Sequence, residues 1–307
     1  MNIRKDSGLL KWILIGISVL FLFVMLILPL SYVMYTAFSK GIKVFLAAVT
    51  DKYALHSIKL TIEVSLIAVV CNTFFGIFAS WLITKFQFKG KKIISALIDL
   101  PLTVSPIIAG LIYVLPFGRQ SFIYPYLKAM GVRIIFAVPG IVLATIFVTF
   151  PFISRELIPV LTSQGTDEEE AAALMGANGW TIFWKVTFPH IKWPLLYGIV
   201  LCTARAMGEF GAVSVLSGHL RGRTNTMPLY IELLYQGYDF TGAFAVSAIL
   251  VLMAFIILVL RSVLESRDSR QLRQRKGSRK DRNALQQKGG TDYGRFTAGY
   301  REICRAS

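Results

Sequence analysis

Residues 168–180 read EEEAAALMGANGW, an acidic run that passes into three alanines and then into a glycine. The run contrasts with the rest of the chain, which carries 33 Lys and Arg against 17 Asp and Glu. Alanine favours helix, carboxylates favour its first turn, and Gly176 is typical of the residue just beyond a helix end. The sequence therefore predicts a short helix here, with Thr166 as N-cap and Glu169 completing a capping box.

The predicted helix has one narrow apolar edge. Ala171, Leu174 and Met175 are spaced i, i+3 and i+4, so they share one face. The residues that follow, GWTIFWKV, predict a second short amphipathic helix, which we expect Pro189 to end. We therefore predict two short helices joined by a glycine turn, with an edge narrow enough to enter a groove on another protein.

The composition around this segment is that of a membrane protein. Hydrophobic residues make up 55% of the chain, charged residues only 16%, and the mean hydropathy is +0.60. A helix of about 20 apolar residues crosses a bilayer, and backbone in lipid must satisfy its own hydrogen bonds. We predict an all-α integral membrane protein with six transmembrane helices, at about 12–38, 58–84, 94–116, 134–154, 194–217 and 240–262. The first apolar run is too long for a signal-peptide core, which spans about 7–15 residues.

The distribution of Lys and Arg predicts the orientation. With a cytoplasmic N-terminus, the inside segments (1–11, 84–93, 153–193 and 261–307) carry 23 Lys and Arg, and the outside segments (39–57, 117–133 and 218–241) carry 8. Without the C-terminal tail the comparison is only 10 against 8. The tail therefore decides the prediction that both termini are cytoplasmic.

The chain then divides into a cytoplasmic N-terminus (1–11), a transmembrane domain (12–265) with a cytoplasmic loop at 155–193, and a basic tail (266–307). The tail has many charges and few apolar residues, so we expect it to be disordered. It is either a solvated segment that sets the topology or a contact for anionic lipid headgroups.

The acidic segment also resembles a family signature. EAA at 170–172, Gly176 after three residues and VTFP at 186–189 after nine more are similar to EAA-x3-G-x9-I-x-L-P of ABC-importer permeases. Val186 and Phe188 are conservative departures from the Ile and Leu of that signature. The segments 99–115, 149–172, 204–218 and 221–244 resemble the CysW-type permeases of sulfate and thiosulfate importers, so that the resemblance covers about residues 11–265.

This resemblance implies a type I ABC importer permease fold in which the loop at 155–193 carries a cytoplasmic coupling helix. The residues that it assigns to contact with the ATPase are Glu170, Ala171, Ala172, Leu174, Met175 and Gly176. It implies two ATPase subunits, a second related permease of the CysT type, a periplasmic sulfate/thiosulfate-binding protein, and a bacterial inner membrane with its lipid as the surroundings.

The sequence itself has no P-loop motif of the GxxxxGK[ST] type. We therefore expect ATP to bind to a partner chain, and we expect no cofactor, enzymatic activity, metal site or nucleic-acid partner for this chain. Its three His and three Cys residues show no metal-ligand spacing.

Two features inside the predicted spans are candidates for the transport path. Arg205 lies in the fifth span, and Glu209, four residues on, is close enough on the same helix to pair with it. Either Arg205 supplies positive potential to an anion path, or the two charges neutralise each other or pair with the partner permease. In the third span, Thr103, Ser105 and Pro106 indicate either a broken helix beside a path or a simple packing kink.

Two alternatives stay open at this point. The same kind of importer could carry molybdate or another oxyanion, because selection in such importers rests largely with the binding protein. A secondary transporter driven by an ion gradient is an alternative of a different class, which the EAA-like segment and the single intramembrane Arg/Glu site argue against.

Overall fold

The computed structural model describes residues 7–263, with side chains from residue 10 onward. Regular structure within this range is helical, without β-strands, as the composition predicts. The helices, numbered in chain order, are α1 Leu10–Phe38, α2 Ile42–Thr50, α3 Lys52–Lys85, α4 Lys91–Thr103, α5 Pro106–Phe117, α6 Tyr124–Ala129, α7 Val138–Gln164, α8 Asp167–Leu174, α9 Gly179–Met207, α10 Gly211–Ser217, α11 Met227–Gln236 and α12 Phe240–Val263. The predicted tail at 266–307 lies outside the described residues.

Among the described helices, α1, α3, α7 and α12 are each long and apolar enough to cross a membrane. Two bent pairs meet the same criterion together: α4 with α5, at 112°, and α9 with α10, at 52°. Counting each bent pair as one span brings the number to six. The predicted spans at 94–116 and 194–217 are therefore each interrupted, the first between Thr103 and Pro106 and the second between Met207 and Gly211.

The interruptions have local causes. Val104 (φ −87°, ψ 136°) and Ser105 (φ −56°, ψ 135°) have extended backbone, and Pro106 favours this over the helical region for Ser105. α9 ends at Gly208 (φ −91°, ψ 10°), and Phe210 precedes α10 with φ −122°. A proline therefore follows the first break, and glycines flank the second.

The core of the molecule lies where α3, α7 and α9 cross. Ile153 of α7 is fully buried there, and a Cβ added at Gly76 of α3 would lie 2.9 Å from one of its side-chain carbons. The buried Asn72 of α3 donates from Nδ2 to the Thr149 hydroxyl of α7 at 2.7 Å. Small residues and interhelical hydrogen bonds are what hold helices together in lipid, so these three helices form the frame of the bundle.

The outer surfaces carry the large apolar side chains expected of a protein in lipid. None of the most apolar part of α1 is buried, and only 22% of that of α12. Near its end, α1 contributes the buried Ala37 to a cluster with Phe45 of α2 and Ala245 of α12. The chain divides into two units, Met1–Leu258 and Val259–Ser307, and the described part of the second is residues 259–263 of α12.

Candidate functional site: the acidic loop and the broken helices

The short acidic helix predicted from the sequence is present as α8, and its C-terminus forms as predicted. Gly176 has φ +84°, its N–H donates to the Ala173 carbonyl at 2.9 Å, and the Ala177 N–H donates to the Ala172 carbonyl at 3.1 Å. This pair of hydrogen bonds is the Schellman motif. The positive φ is a conformation that glycine adopts without strain, so Gly176 sets the direction in which the chain leaves α8.

The N-terminus of α8 differs from the prediction. Thr166 precedes the helix, but its side chain makes no capping hydrogen bond. The Glu169 carboxylate instead accepts from the Thr187 hydroxyl at 2.6 Å and lies 3.0 Å from the ammonium of Lys85. Lys85 offers the carboxylate a Coulomb attraction that a neutral backbone N–H lacks, so these tertiary contacts take the place of the capping box.

The segment after Gly176 is also not a short helix that Pro189 ends. Helix α9 begins at Gly179, where the Asn178 side chain accepts from the Thr181 N–H at 2.8 Å, and it continues to Met207. A π-helical turn at Phe183–Thr187 lies inside it and ends two residues before Pro189. Hydrogen bonds in this turn run i to i−5, so the helix can pass the proline, which has no N–H to donate to the previous turn.

Helix α7 likewise extends to Gln164, so residues 155–164 of the predicted loop belong to a long helix. Hydropathy marks only the apolar part of a helix, and α7 continues beyond it. The non-helical parts of the loop reduce to short turns on either side of α8.

The contacts of Glu169 anchor α8 to the ends of α3 and α9. Lys85, the last residue of α3, also donates to the carbonyl of Gly165 at 2.5 Å. The side chains of Lys85 and Glu169 are only 6% and 14% exposed. Around them, the Glu168 carboxylate lies 3.5 Å from the ring nitrogen Nε2 of His190 of α9. The acidic first turn of α8 thus attaches the helix to the bundle. The part that Lys85 takes in this attachment was not predicted from the sequence.

The opposite edge of α8 is free. Leu174 is 90% exposed and Met175 is 82% exposed, while Ala171 and Glu170 are also exposed. Ala172, grouped with them on the sequence, is 8% exposed and faces inward. The predicted apolar edge is therefore present, flanked by a carboxylate, and held by buried polar contacts on its other side.

Arg205 and Glu209 form the predicted ion pair, with 2.5 Å between a guanidinium nitrogen and a carboxylate oxygen. Their setting differs from the prediction, because Glu209 lies in the break after α9 and not on the same helix. Its side chain is fully buried, and its other oxygen accepts from the Ala212 N–H at 2.9 Å, at the start of α10. Glu209 therefore links the end of α9 to the start of α10.

The break between α4 and α5 lies against this second break. A Cβ added at Gly211 of α10 would lie 2.8 Å from a side-chain carbon of Pro106, the first residue of α5. Thr103 and Ser105, in the same break, are exposed, and the Thr103 hydroxyl donates to the Leu100 carbonyl at 2.9 Å. The structure thus brings the two predicted groups of candidate residues into one region, and the broken-helix alternative is the one observed.

One ion pair close to this region was missed from the sequence. Asp99 of α4 accepts from the guanidinium of Arg155 of α7 at 2.8 Å, with side chains 44% and 57% exposed. Among residues 10–263, no group of three or more His, Cys, Asp or Glu side chains is placed to hold a metal ion.

Comparison with known proteins supplies the context for this geometry. Residues 72–270 match the family described as "Binding-protein-dependent transport system inner membrane component". The "Sulfate transport system permease protein CysW" of Escherichia coli (strain K12) is 50% identical over 257 residues, which cover 84% of this chain and 88% of that protein. The "Probable sulfate transport system permease protein cysT" of Chlorokybus atmophyticus is 33% identical over 238 residues, 78% of this chain and 83% of that one.

A solved structure is similar in fold. In the "Crystal structure of bacterial alginate ABC transporter in complex with alginate pentasaccharide-bound periplasmic protein", one chain matches with a TM-score of 0.70 at 19% identity. The match covers 86% of the present chain and 96% of the other. At this identity the likeness concerns the arrangement of helices alone.

Proposed function

The chain belongs to the family of binding-protein-dependent transport system inner membrane components, and we propose that it is the permease subunit of an ATP-binding-cassette importer carrying sulfate or thiosulfate across the bacterial cytoplasmic membrane. It is a transport subunit and not an enzyme. The observation that carries the proposal is the 50% identity to a sulfate permease over 257 residues, together with an exposed α8 edge of the kind the family signature implies.

In this proposal α8 is the coupling helix. Leu174, Met175, Ala171 and Glu170 enter a cleft of an ATPase subunit, and Gly176 aims the helix. Two such ATPase subunits bind and hydrolyse ATP, so that this chain needs no cofactor of its own. Ala172 takes a different part from the one first assigned to it: it is buried, and it supports α8 from behind.

The proposed partners on the transport side are a second permease of the CysT type and a periplasmic binding protein for the anion. The similarity to a cysT-named protein over 78% of the chain supports a pair of related permeases. The region where the two helix breaks meet, with Arg205, Thr103 and Ser105, is the proposed path. Backbone that is not helical survives at membrane depth only where protein buries it or where it lines a cavity.

We further propose that both termini lie in the cytoplasm. Two contacts support this assignment, because each joins segments that were predicted to lie on the same side of the membrane. Lys85 contacts Gly165 between two predicted inside segments, and Arg221 contacts Tyr53 between two predicted outside segments. A cysteine replacing Tyr124 should react with an impermeant thiol reagent from outside the cell, and one replacing Gly90 should not. The reverse labelling pattern would invert the orientation.

Reconstitution tests the function itself. The purified importer in proteoliposomes, with ATP inside and the substrate-loaded binding protein outside, should accumulate radioactive sulfate. Uptake should need hydrolysable ATP and should persist when ionophores collapse ion gradients. Uptake that follows an ion gradient without ATP would favour a secondary transporter. Uptake of molybdate in preference to sulfate would favour an ABC importer for molybdate.

A further inference from the structure

An open depression of about 590 Å³ lies where the first turns of α3 meet the segment that follows α10. Four cationic side chains line it: Lys52 and Lys59 from α3, and Arg221 and Arg223 from the segment 218–226. No carboxylate is among the lining residues. We call it the basic depression, and it adjoins neither α8 nor the Arg205–Glu209 pair.

Contacts with aromatic side chains hold part of the basic depression in place. The guanidinium of Arg221 lies over the ring of Tyr53, 4.4 Å from its centroid, and donates to the Tyr230 hydroxyl at 3.4 Å. The hydrogen bond to Tyr230 raises the pKa of Arg221, and arginine is charged at physiological pH in any case. Gly222 has φ +73°, and a Cβ there would lie 3.0 Å from the Tyr53 ring, so the turn fits tightly against α3.

The nearest carboxylate is already engaged. Asp51 accepts from the Tyr53 N–H at 3.0 Å, which caps α3, and from the Tyr230 hydroxyl at 3.2 Å. It therefore holds the wall together through Tyr230 without lining the depression. Glu63, one turn beyond Lys59, makes an exposed pair with it at 3.6 Å. Pairs as exposed as this one contribute little. Asp51 also attracts Arg221, so Lys52 and Arg223 are the lining cations for which the described residues include no carboxylate partner.

An unpartnered side chain in the lining points to a ligand. His56 lines the depression, and its Nε2 is buried and has no hydrogen-bond partner among the described residues. Buried polar groups in native proteins are nearly always hydrogen-bonded. The positive end of the α3 dipole also lies at this place.

We propose that the basic depression binds a small divalent oxyanion, the chemical class of sulfate, on the outer face of the permease. It would hold the transported anion after release from the binding protein and before entry into the membrane path. The four cations supply the attraction, and His56 supplies a further polar group in the lining. The identity of the anion rests on the proposed function, whereas the existence of the site rests on the geometry above.

Direct binding tests the proposal. The complete permease–ATPase complex, without its binding protein, is placed in nanodiscs of phosphatidylcholine, and binding of radioactive sulfate is measured at constant ionic strength. The double variant Lys52→Gln/Arg223→Gln should weaken binding at least tenfold. The control Arg119→Gln/Lys128→Gln removes two exposed cations from another predicted outside segment and should leave binding within twofold of wild type. Equal losses in both variants, or no loss in the first, would overturn the proposal.

Two further measurements are needed. The first distinguishes sulfate from a lipid headgroup as the ligand, and the second distinguishes a failure of this proposal from a failure of the proposed function. Phosphatidylglycerol in the nanodiscs should not displace sulfate; displacement would show that the depression binds a lipid headgroup instead, which refutes the proposal. In proteoliposomes the Lys52/Arg223 variant should raise the sulfate KM for uptake at least fivefold while its abundance is unchanged. A wild-type importer that transports no sulfate would end the proposed function, and the nanodisc result would then still decide whether the depression binds an oxyanion.

Discussion

Replacing Lys85 or Glu169 should uncouple the importer without removing it from the membrane. The two side chains are 6% and 14% exposed and 3.0 Å apart, so each is the main compensation for the other's charge. In Lys85→Met, the Glu169 carboxylate keeps only the Thr187 hydroxyl among its described side-chain partners. Leaving one member of a buried pair unmatched costs about 3–5 kcal/mol.

Movement of α8 away from the bundle would remove this cost, because the Glu169 carboxylate would then reach water. Every 1.4 kcal/mol changes a population about tenfold, so a cost of about 3 kcal/mol disfavours the anchored position of α8 by roughly a hundredfold. The edge carrying Leu174 and Met175 moves with it. We therefore expect ATP hydrolysis stimulated by the loaded binding protein to fall at least tenfold in Lys85→Met and in Glu169→Gln.

The assay is coupled ATP hydrolysis by the purified complex in nanodiscs, with permease abundance and ATPase retention measured in parallel. The matched control is Lys89→Met, an exposed lysine four residues beyond Lys85 that does not line the basic depression. Surface substitutions of this kind usually change stability by less than about 0.5 kcal/mol, and the change should leave coupling near the wild-type rate. The double variant Lys85→Met/Glu169→Gln should lose less than the sum of the single losses, because the two residues interact directly. Losses that simply add, or single variants that stay within twofold of wild type, would refute the reasoning.

Three further expectations concern backbone and burial. Gly176→Val should lower coupled ATP hydrolysis at normal abundance, since a side chain at φ +84° is strained by roughly 1–2 kcal/mol. Gly179→Val should not lower it, because Gly179 has equal free space and no positive φ. Equal rates of hydrolysis in the two variants would contradict this prediction. Arg205→Ala and Glu209→Ala should each destabilise the purified complex to heat, Glu209 more because it also holds the start of α10, and the double change should cost less than the sum. Gly110→Ala should lower the melting temperature, because its Cβ would lie 2.7 Å from a backbone carbonyl oxygen of α10; an unchanged melting temperature would show that the contact relaxes freely.

The features that could be predicted from the sequence are those with local causes. Helix α8 has its alanines, its acidic first turn and Gly176 within ten residues, so composition alone specifies its type and its end. The long apolar runs similarly predict the spans, because the length needed to cross lipid is a property of the segment itself.

The features that could not be predicted depend on residues distant in sequence. Glu168 and Glu169 are both typical of the first turn of a helix. The partner of Glu169 is decided by Lys85 and Thr187, which are brought to it by the fold. Pro189 is a helix terminator unless a wider turn precedes it, and the π-helical turn at Phe183–Thr187 leaves no periodicity by which to recognise it. The bend of 112° between α4 and α5 follows from packing on α10, which the prolines permit and do not specify.

Helix α3 connects the two surfaces on which these proposals depend. It has 34 residues, or roughly 50 Å at 1.5 Å per residue, with the basic depression at its first turns and Lys85 at its last residue. Midway, Asn72 donates to Thr149 of α7 and lies 3.7 Å from the sulfur of Cys202 of α9, so that three helices share one buried polar contact. A displacement of α8 would therefore act on α3 through the Lys85–Glu169 ion pair and on α7 and α9 through Asn72, and we expect these helices to move together and not to slide past one another.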